Sequence, residues 1–378
     1  MQVTVDKETL VKEVHRTLGV VDRKSSMPIL SHVLMEAKDG GITISATDLE
    51  VSFRGFCPAE VNKPGALALP AHYFHNLVKS LPVTKMSLTV TDKYKLQIQA
   101  DKSFYKLEGL PSDQFPSIRE VNGDSMVEVE AAVIREMIEK TIFCCTPGED
   151  VNQFSNIFLE QEEKEENLYL RMVTTDGNRL ALIDRRLPWD NQLSLKEGVL
   201  IPRKGALEIS RALDGEKNTV GISLTDQEMA LQVNGRLLMV RLLERKFPNY
   251  RRIIPEGYDF GFTVDREAFL GILRRISMLS TERFKGVVLD IGPNALEATF
   301  ENPEVGNGRE RMPLSLAFGD DGNLPLMVGF NAKFLLEPLS VMRCERVLLE
   351  ITSNDKPCRI RGEGDPDYFG MAMPMSLP

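Results

Sequence analysis

Hydrophobic and polar residues alternate and then change period at three places along the chain. Each place begins with apolar residues at every second position, which predicts a strand, and continues with apolar residues spaced for one face of a helix. The three segments are Val3–Val11, Val127–Ile134 and Phe262–Leu270. An acidic residue stands near each predicted helix start, where the helix dipole favours negative charge. This recurrence predicts that the chain contains three copies of one unit.

A second feature follows each of these segments in the same order. A short apolar strand leads into another amphipathic helical stretch, and in the first two copies a proline stands at the helix start. The strands are Ala66–Pro70, Gly198–Pro202 and Leu326–Asn331. Because two features recur in the same order at similar spacing, we expect a true repeat rather than a chance match.

The other strand-like stretches alternate with a period of two residues and are separated by short turns, which indicates antiparallel sheets. Examples are Met86–Thr91, Leu168–Val173 and Gly286–Ile291. We therefore predict an α+β fold of three repeated units, each with two helices and several strands.

Turn-forming residues mark two boundaries between these units, at Asn122–Gly123 and at Pro255–Gly257. A chain of 378 residues is expected to hold two or three domains, at roughly 100–200 residues per domain. The predicted domains are residues 1–123, 124–257 and 258–378.

Composition is typical of a globular protein, with 42% hydrophobic and 27% charged residues. The formal net charge of −9 argues against tight, direct contact with nucleic acid, because phosphate groups attract Lys and Arg. The charge leaves room for a protein that holds DNA by topology and carries its basic residues on one surface. No apolar run approaches the ~18 residues that a membrane span needs. The N-terminus also lacks the pattern of a secretory signal, so the cytoplasm is the expected location.

Cysteine and histidine usage gives little sign of metal or disulfide chemistry. None of the five cysteines forms a C-x-x-C pair, and we expect buried free thiols in a reducing compartment. They are Cys57, Cys144, Cys145, Cys344 and Cys358. With four histidines in the chain we expect no zinc site and no cofactor.

A hydrolase is the main alternative class. Asp48 and Asp176 each follow a threonine, but their recurrence at equivalent places favours a structural turn. The motifs of nucleotide-binding loops, metalloproteases and serine hydrolases are missing. Gly306 and Gly308 are the nearest approach to a glycine-rich loop, and Arg309–Pro313 after them predicts a polar hairpin turn instead. We expect no enzymatic activity. A protein scaffold that never meets DNA stays open on these grounds.

Seven strings occur in order along the whole chain, and through them the sequence resembles the bacterial sliding clamp family, the beta subunit of the replicative DNA polymerase III. The strings are Met27–Leu30, Thr47–Glu50, Gly109–Pro116, Thr174–Ala181, Phe247–Pro255, Phe284–Val287 and Met373–Leu377. Two positions depart from the family. Asn178 stands where the family often has His or another larger residue, and Ser376 stands in a tail that commonly reads Met-Pro-Met-Arg-Leu. Both departures bear on the preference for partner peptides.

The resemblance implies three clamp domains, each with two helices and about eight antiparallel strands. Two chains would meet head to tail, domain one against domain three, and close a ring lined by twelve helices. The implied partners are duplex DNA, the polymerase catalytic subunit, the clamp loader and other proteins with a clamp-binding motif. The implied dimer contacts are Tyr105, Leu107, Met278 and Leu279. For these four residues, ordinary core packing is the alternative.

The resemblance also implies a hydrophobic cleft that binds partner peptides, in which Leu and Phe side chains of a short extended peptide would be buried. Methionines suit such a cleft because they are flexible and polarizable. Arg179 and Arg252 would anchor carbonyls or carboxylates at its rim, although Arg252 could instead pair structurally. The implied lining is Phe154, Thr175, Gly177, Asn178, Arg179, Leu180, Pro248, Arg252, Ile253, Phe284, Asn331, Phe334, Met371, Met373, Pro374 and Met375.

Weak contacts to the DNA backbone are expected from basic residues on the helices and in one loop. A basic lining with an acidic exterior would reconcile the net charge with DNA. For any single residue, an ordinary solvated surface position is the alternative. The candidates are Arg23, Lys24, Lys12, Arg16, Lys79, Arg135, Lys140, Arg203, Lys204, Arg211, Arg274, Arg275 and Lys333.

Overall fold

The structure, a computed structural model, describes residues 1–91, 94–119, 126–146, 154–164, 167–186, 195, 198–225, 227–243 and 246–376. These residues form two compact units. The first comprises described residues within Met1–Arg135, Asn191–Leu195 and Lys204–Leu243, and the second those within Glu136–Asp190, Lys196–Arg203 and Glu244–Pro378. No helix in these ranges is both long enough and apolar enough to cross a membrane.

Six α-helices lie in the described ranges, two in each repeat. They are α1 Lys7–Thr17, α2 Ala71–Ser80, α3 Ala131–Glu139, α4 Arg203–Ala212, α5 Arg266–Ser277 and α6 Ala332–Val341. Two of the predicted acidic starts are confirmed as helix caps. The backbone N–H of Thr9 donates to Asp6 Oδ1 at 2.9 Å, and that of Ala268 donates to Asp265 Oδ1 at 2.7 Å. Such a cap satisfies one of the free N–H groups of the first turn.

Twenty-five strands accompany these helices in the described ranges. They are β1 Gln2–Asp6, β2 His32–Lys38, β3 Gly41–Thr47, β4 Val51–Lys63, β5 Gly65–Pro70, β6 Lys85–Thr91, β7 Lys95–Ala100, β8 Ser103–Glu108, β9 Val127–Glu130, β10 Asn156–Lys164, β11 Asn167–Thr175, β12 Arg179–Arg186, β13 Val199–Pro202, β14 Thr219–Leu224, β15 Glu228–Val233, β16 Arg236–Arg241, β17 Phe260–Asp265, β18 Gly286–Ile291, β19 Ala295–Asn302, β20 Gly306–Pro313, β21 Ser315–Phe318, β22 Leu326–Asn331, β23 Arg346–Ile351, β24 Cys358–Gly362 and β25 Asp365–Ala372. The three repeats thus contribute β1–β8, β9–β16 and β17–β25, which confirms the α+β fold with about eight antiparallel strands per repeat.

The first unit is built on a twelve-stranded sheet. Its main order is β8-β7-β6-β1-β4-β16-β15-β14-β9, and a branch β3-β2-β5 starts from β4. The long strand β4 pairs with β1, β3 and β16. The β4–β16 pair makes the sheet continuous between strands of the first and second repeats. The predicted boundary at Gly123 lies outside the described residues.

The second unit contains a nine-stranded sheet and a four-stranded sheet. Their orders are β13-β10-β11-β12-β25-β24-β23-β17-β21 and β20-β19-β18-β22. The β12–β25 pair joins strands of the second and third repeats, with Leu180 opposite Met371 and Leu182 opposite Phe369. These four residues contribute to one apolar cluster, in which Tyr250 is also buried.

The expected buried free cysteines and the expected hairpin turn at Gly306 and Gly308 are each found only in part. Four of the five cysteines are buried and all five are free, whereas Cys344 is only half-buried. The polar hairpin at Gly306 and Gly308 exists, but both glycines lie in β20 rather than in the turn. Gly306 is the first residue of β20 and pairs with Asn302 at the end of β19. Its φ of +143° is a conformation that favours glycine, which accounts for a glycine at the start of the strand.

Candidate functional site

The candidate cleft begins at a tight turn between β11 and β12. The backbone N–H groups of Asn178 and Arg179 donate to Asp176 Oδ1 at 3.0 and 3.1 Å, and that of Gly177 donates to Thr175 Oγ1 at 3.1 Å. Gly177 has a φ of +89°, where a side chain would be strained. The Asp176 carboxylate is therefore occupied by its own turn, as the sequence predicted.

Arg179 ties this turn to two other elements. Its Nε donates to Asp176 Oδ2 at 2.8 Å, its Nη2 donates to the carbonyl of Phe143 at 2.7 Å, and its Nη1 forms an ion pair with Glu337 of α6. The guanidinium carbon lies 4.8 Å from the centre of the Phe334 ring. The side chain is only 8% exposed. Its guanidinium is thus enclosed by internal partners, and the role of Arg179 as an anchor for a partner peptide stays a prediction.

The chain's tail runs beside the same turn. The backbone N–H of Met373 donates to the carbonyl of Asn178 at 2.8 Å, and that of Met375 donates to the carbonyl of Gly329 at 2.8 Å. The tail thus joins the nine-stranded sheet to β22 of the four-stranded sheet. The Met375 side chain stays 42% exposed, and Pro374 is half-buried. The end of the predicted tail, Leu377 and Pro378, lies outside the described residues.

One wall of the cleft is formed by α6 and the strand before it. Asn331 caps α6 by accepting from the backbone N–H of Lys333 at 3.1 Å, and it pairs with Gly286 across β18 and β22. A Cβ built on Gly286 would lie 3.9 Å from the Met375 side chain. Phe284, two residues earlier, is half-buried. This wall therefore stands next to the tail.

The other predicted lining residues lie near the buried cluster. Phe154 approaches the turn, since a Cβ built on Gly177 would meet its ring at 3.9 Å. The carbonyl of Pro248 accepts from Tyr250, whose ring packs with the cluster. Ile253 is 40% exposed, and Arg252 is exposed with no ion pair to a described residue. Leu180 and Met371 are buried in the cluster itself and form its floor rather than its surface.

Sequence reasoning missed two residues that hold the cleft together, Phe143 and Glu337. Phe143 follows α3, and nothing in its neighbourhood along the chain points to Arg179. Glu337 stands three residues after Phe334, so the helical period places both on one side of α6. This three-residue spacing from Phe334 is the sequence feature that could have pointed to Glu337.

Most of the predicted DNA contacts are exposed, three are half-buried and one is buried. Lys140 is buried: its Nζ lies 2.7 Å from carboxylates of both Glu136 and Asp365 and 4.9 Å from the centre of the Tyr368 ring. Its prediction as a DNA contact is wrong, because the ammonium is neutralised and enclosed. The exposed members of the set are Lys12, Arg16, Arg23, Lys24, Lys79, Arg211, Arg274, Arg275 and Lys333.

Three members of that set are half-buried. Lys204 Nζ donates to the carbonyl of Val20 at 3.0 Å and pairs with Asp48, and Arg135 pairs with Asp214 at 2.7 Å. Arg203 is the third. Some of the exposed residues also have acidic neighbours, with Arg211 next to Glu208, Arg275 next to Glu310 and Lys333 next to Glu337.

The predicted dimer contacts are found at surface positions rather than in the core. Tyr105 in β8 is 40% exposed, and Met278 after α5 is 79% exposed, while Leu107 and Leu279 are half-buried. Among the described strands, β8 pairs only with β7 and β20 only with β19. Each therefore has one open edge. Core packing, the alternative for these residues, does not account for Tyr105 or Met278.

Metal chemistry finds no support in the described part of the chain, where no group of three or more His, Cys, Asp or Glu side chains is placed to hold an ion. Burial raises the pKa of Cys57 and of Cys145 to about 12, so neither is an activated thiol at neutral pH. The described cleft residues contribute apolar surface, a fixed turn and main-chain groups.

Sequence models of one family match the chain in three successive parts. DNA polymerase III beta subunit matches as its N-terminal domain at residues 1–119, its central domain at 128–249 and its C-terminal domain at 251–376. The beta sliding clamp of Pseudomonas putida is 31% identical over 378 residues, with both chains covered completely. Among solved structures, a sliding clamp from Bartonella birtlesii bound to griselimycin has a TM-score of 0.92 at 27% identity, and the Caulobacter crescentus pol III beta has 0.91 at 27%, each with full coverage of both chains.

Proposed function

The chain belongs to the DNA polymerase III beta subunit family, and from that premise we propose that it is a DNA sliding clamp, which encircles duplex DNA and confers processivity on the replicative polymerase. The observation that carries this proposal is the threefold repeat of two helices and about eight strands, matched to the family along nearly the whole chain. Its three domains would span residues 1–123, 124–257 and 258–378.

The ring would be closed by two copies of the chain, arranged head to tail. An exposed strand edge with apolar side chains invites pairing with another chain. Both β8 and β20 have an open edge among the described strands. Tyr105 is exposed in β8, and Leu279, next to the exposed Met278, lies near β20, since a Cβ built on Gly308 would be 3.5 Å from its side chain. A head-to-tail pair would cover both edges in each copy and would close by twofold symmetry.

Partners would dock in the cleft beside the β11–β12 turn. An extended peptide could place Leu and Phe side chains against Phe154, Phe334 and Met375, and Met375 can adapt to more than one partner. The polymerase catalytic subunit, the clamp loader and other proteins with the same short motif would compete for this one surface. The related clamp from Bartonella birtlesii is described as bound to griselimycin.

Contact with DNA would be weak and directed to phosphate groups. The exposed helix residues Lys12, Lys79 and Arg274, together with Arg23, have no acidic partner among the ion pairs of the described residues. Phosphate contacts carry no sequence information, which suits a protein that slides. A net charge of −9 is compatible with this arrangement if topology rather than affinity retains the DNA.

The proposal includes no catalysis and no cofactor. The repeated Thr-Asp turns, which were the best candidates for carboxylate chemistry, are occupied by hydrogen bonds from their own backbone.

Primer extension on a singly primed circular template tests the proposal. The chain is added with its cognate replicative polymerase and clamp loader, with a trap that prevents rebinding of the polymerase. Products made in one binding event should become much longer when the chain is present. Products of unchanged length would contradict a role in processivity.

A further inference from the structure

The charge of Arg179 is compensated more than once. The Arg179 guanidinium donates hydrogen bonds to the carboxylate of Asp176 and the carbonyl of Phe143, and its Nη1 forms an ion pair with the carboxylate of Glu337. Two carboxylates thus face one cation, and the Phe334 ring covers it. A carboxylate of a bound peptide would meet a guanidinium that is already neutralised.

The two carboxylates differ in how they are held. Asp176 is fixed by its own turn, since its Oδ1 also accepts two backbone N–H groups. Glu337 comes from α6 and accepts from no backbone group among the described residues; its other neighbour is Lys333, with 3.6 Å between Nζ and Oε1. Glu337 is therefore the compensating charge that could be removed without opening the turn.

The position of Glu337 is set by close packing of α6. The next residue is Pro338, which lies inside the helix. A Cβ built on Gly370 of β25 would be only 2.7 Å from the Cβ of Pro338, so the helix rests directly on that strand. The backbone that carries Glu337 therefore has little freedom to withdraw from Arg179.

We propose that Glu337 is a positioning residue that controls the charge preference of the cleft, by holding the Arg179 guanidinium against α6 and away from acidic groups of a partner peptide. This inference rests on the proposed function, because it concerns the same cleft. Glu337 joins the turn that carries Gly177 to the wall that carries Phe334, and its own carboxylate repels a partner's acidic side chain. Peptides with neutral residues next to their apolar anchors are then preferred over acidic ones.

The variant Glu337→Gln removes the charge and keeps the size of the side chain. The full-length chain is titrated with pairs of fluorescent hexapeptides that contain Leu and Phe and differ only by Glu or Gln at one position, which is moved through the peptide. At the position nearest Arg179, the affinity for the Glu peptide relative to the Gln peptide should rise by about fivefold, the size expected for one partly exposed ion pair. If Glu337 had a purely structural role, the variant would bind both peptides more weakly by the same factor, and the ratio of their affinities would not change.

Two further variants serve as controls. Glu282→Gln removes an exposed carboxylate close in sequence to Phe284 that has no contact with Arg179, and its ratio should equal that of the unmodified chain. Glu337→Asp keeps the charge, so its ratio should remain close to the original one. Thermal unfolding of each variant establishes that it is folded.

The outcomes separate this inference from the function on which it rests. If the unmodified chain binds both peptides and Glu337→Gln leaves their ratio unchanged at every position, the inference about Glu337 is overturned while the cleft stands. If the unmodified chain binds neither peptide, the cleft assignment itself is overturned and the inference with it. If the affinity ratio of the Glu peptide to the Gln peptide rises in Glu337→Gln and in neither control variant, both the cleft assignment and the inference about Glu337 are supported.

Discussion

Asp48 and Asp176 close the same turn in two different repeats of the chain. Asp48 Oδ1 accepts from the backbone N–H groups two and three residues later at 2.9 and 2.6 Å, and Asp176 does the same at 3.0 and 3.1 Å. The residue between has a positive φ in both, +77° at Leu49 and +89° at Gly177. Each carboxylate also has a cationic partner, Lys204 or Arg179. One turn design thus serves two repeats, and its aspartates are structural.

The buried position of Lys140 predicts that it contributes to stability and not to DNA binding. Lys140→Met should destabilise the fold by about 1–3 kcal/mol, because Glu136 and Asp365 lose one buried cation and keep only Arg185. Lys79→Met, at an exposed helix position, should leave stability unchanged and reduce the salt dependence of DNA binding by about one phosphate contact.

Urea unfolding and DNA binding at several salt concentrations measure the two effects. If folded Lys140→Met lost as much of the salt dependence of DNA binding as Lys79→Met, this would contradict the burial of the Lys140 ammonium.

Changing Met278 and Leu279 together to Arg is predicted to produce monomers. Met278 is 79% exposed and Leu279 half-buried in the single chain, so circular dichroism is used to establish that the double variant is folded. In a dimer interface it would bury unpaired charge, which costs several kcal/mol. Sedimentation velocity measures the assembly state. Met327→Arg, at another exposed methionine, is the matched control and should remain dimeric. Dimers of the double variant would rule out this contact.

Removal of residues 373–378 is predicted to abolish the binding of a polymerase peptide and to leave the dimer intact. The deletion eliminates the hydrogen bonds from Met373 to Asn178 and from Met375 to Gly329, together with the exposed Met375 side chain. Fluorescence anisotropy measures the peptide affinity, and sedimentation measures the dimer. Unchanged peptide affinity after the deletion would show that the tail is not part of the binding cleft.

Acid is predicted to weaken the second unit through two carboxylates paired with cations, buried Glu350 and half-buried Asp365. Burial alone would raise the pKa of Glu350, but hydrogen bonds from Arg359 and Arg361 outweigh it and lower the pKa below 4.5; Arg185 and Lys140 do the same for Asp365. A carboxylate whose folded pKa is lowered stabilises the protein above its unfolded pKa. That stability is lost as the pH falls through the folded value.

The free energy of unfolding, measured in urea from pH 7 to pH 3, should therefore decline below about pH 4.5. Glu350→Gln should remove part of that decline. An identical pH dependence in the variant would contradict a contribution from Glu350.

Local patterns were enough to predict the repeat, the helices and their caps. The spacing of Leu10 and Val14, and of Phe269 and Leu273, describes helix faces that are indeed buried, and the capping role of Asp265 follows from its place before such a face. These features depend on residues a few positions apart, so they are visible in the sequence.

The partners of buried charges could not be predicted in this way. Lys140 is indistinguishable in sequence from an exposed helix lysine, and only the approach of Asp365, 225 residues later, encloses it. In the sequence, Arg179 also looks like a surface residue, because its ion-pair partner Glu337 lies far away along the chain. The joining of β4 to β16 and of β12 to β25 also depends on long-range pairing, which explains why three repeats yield two compact units.

Retention on circular DNA tests the central claim most directly. The chain is loaded onto a nicked circular duplex by its clamp loader, separated from free protein by gel filtration, and followed after a restriction enzyme cuts the circle. A clamp that holds DNA by topology should stay on the circle and leave soon after linearisation. A chain that is never retained, or that remains bound equally well to linear DNA, would contradict the account.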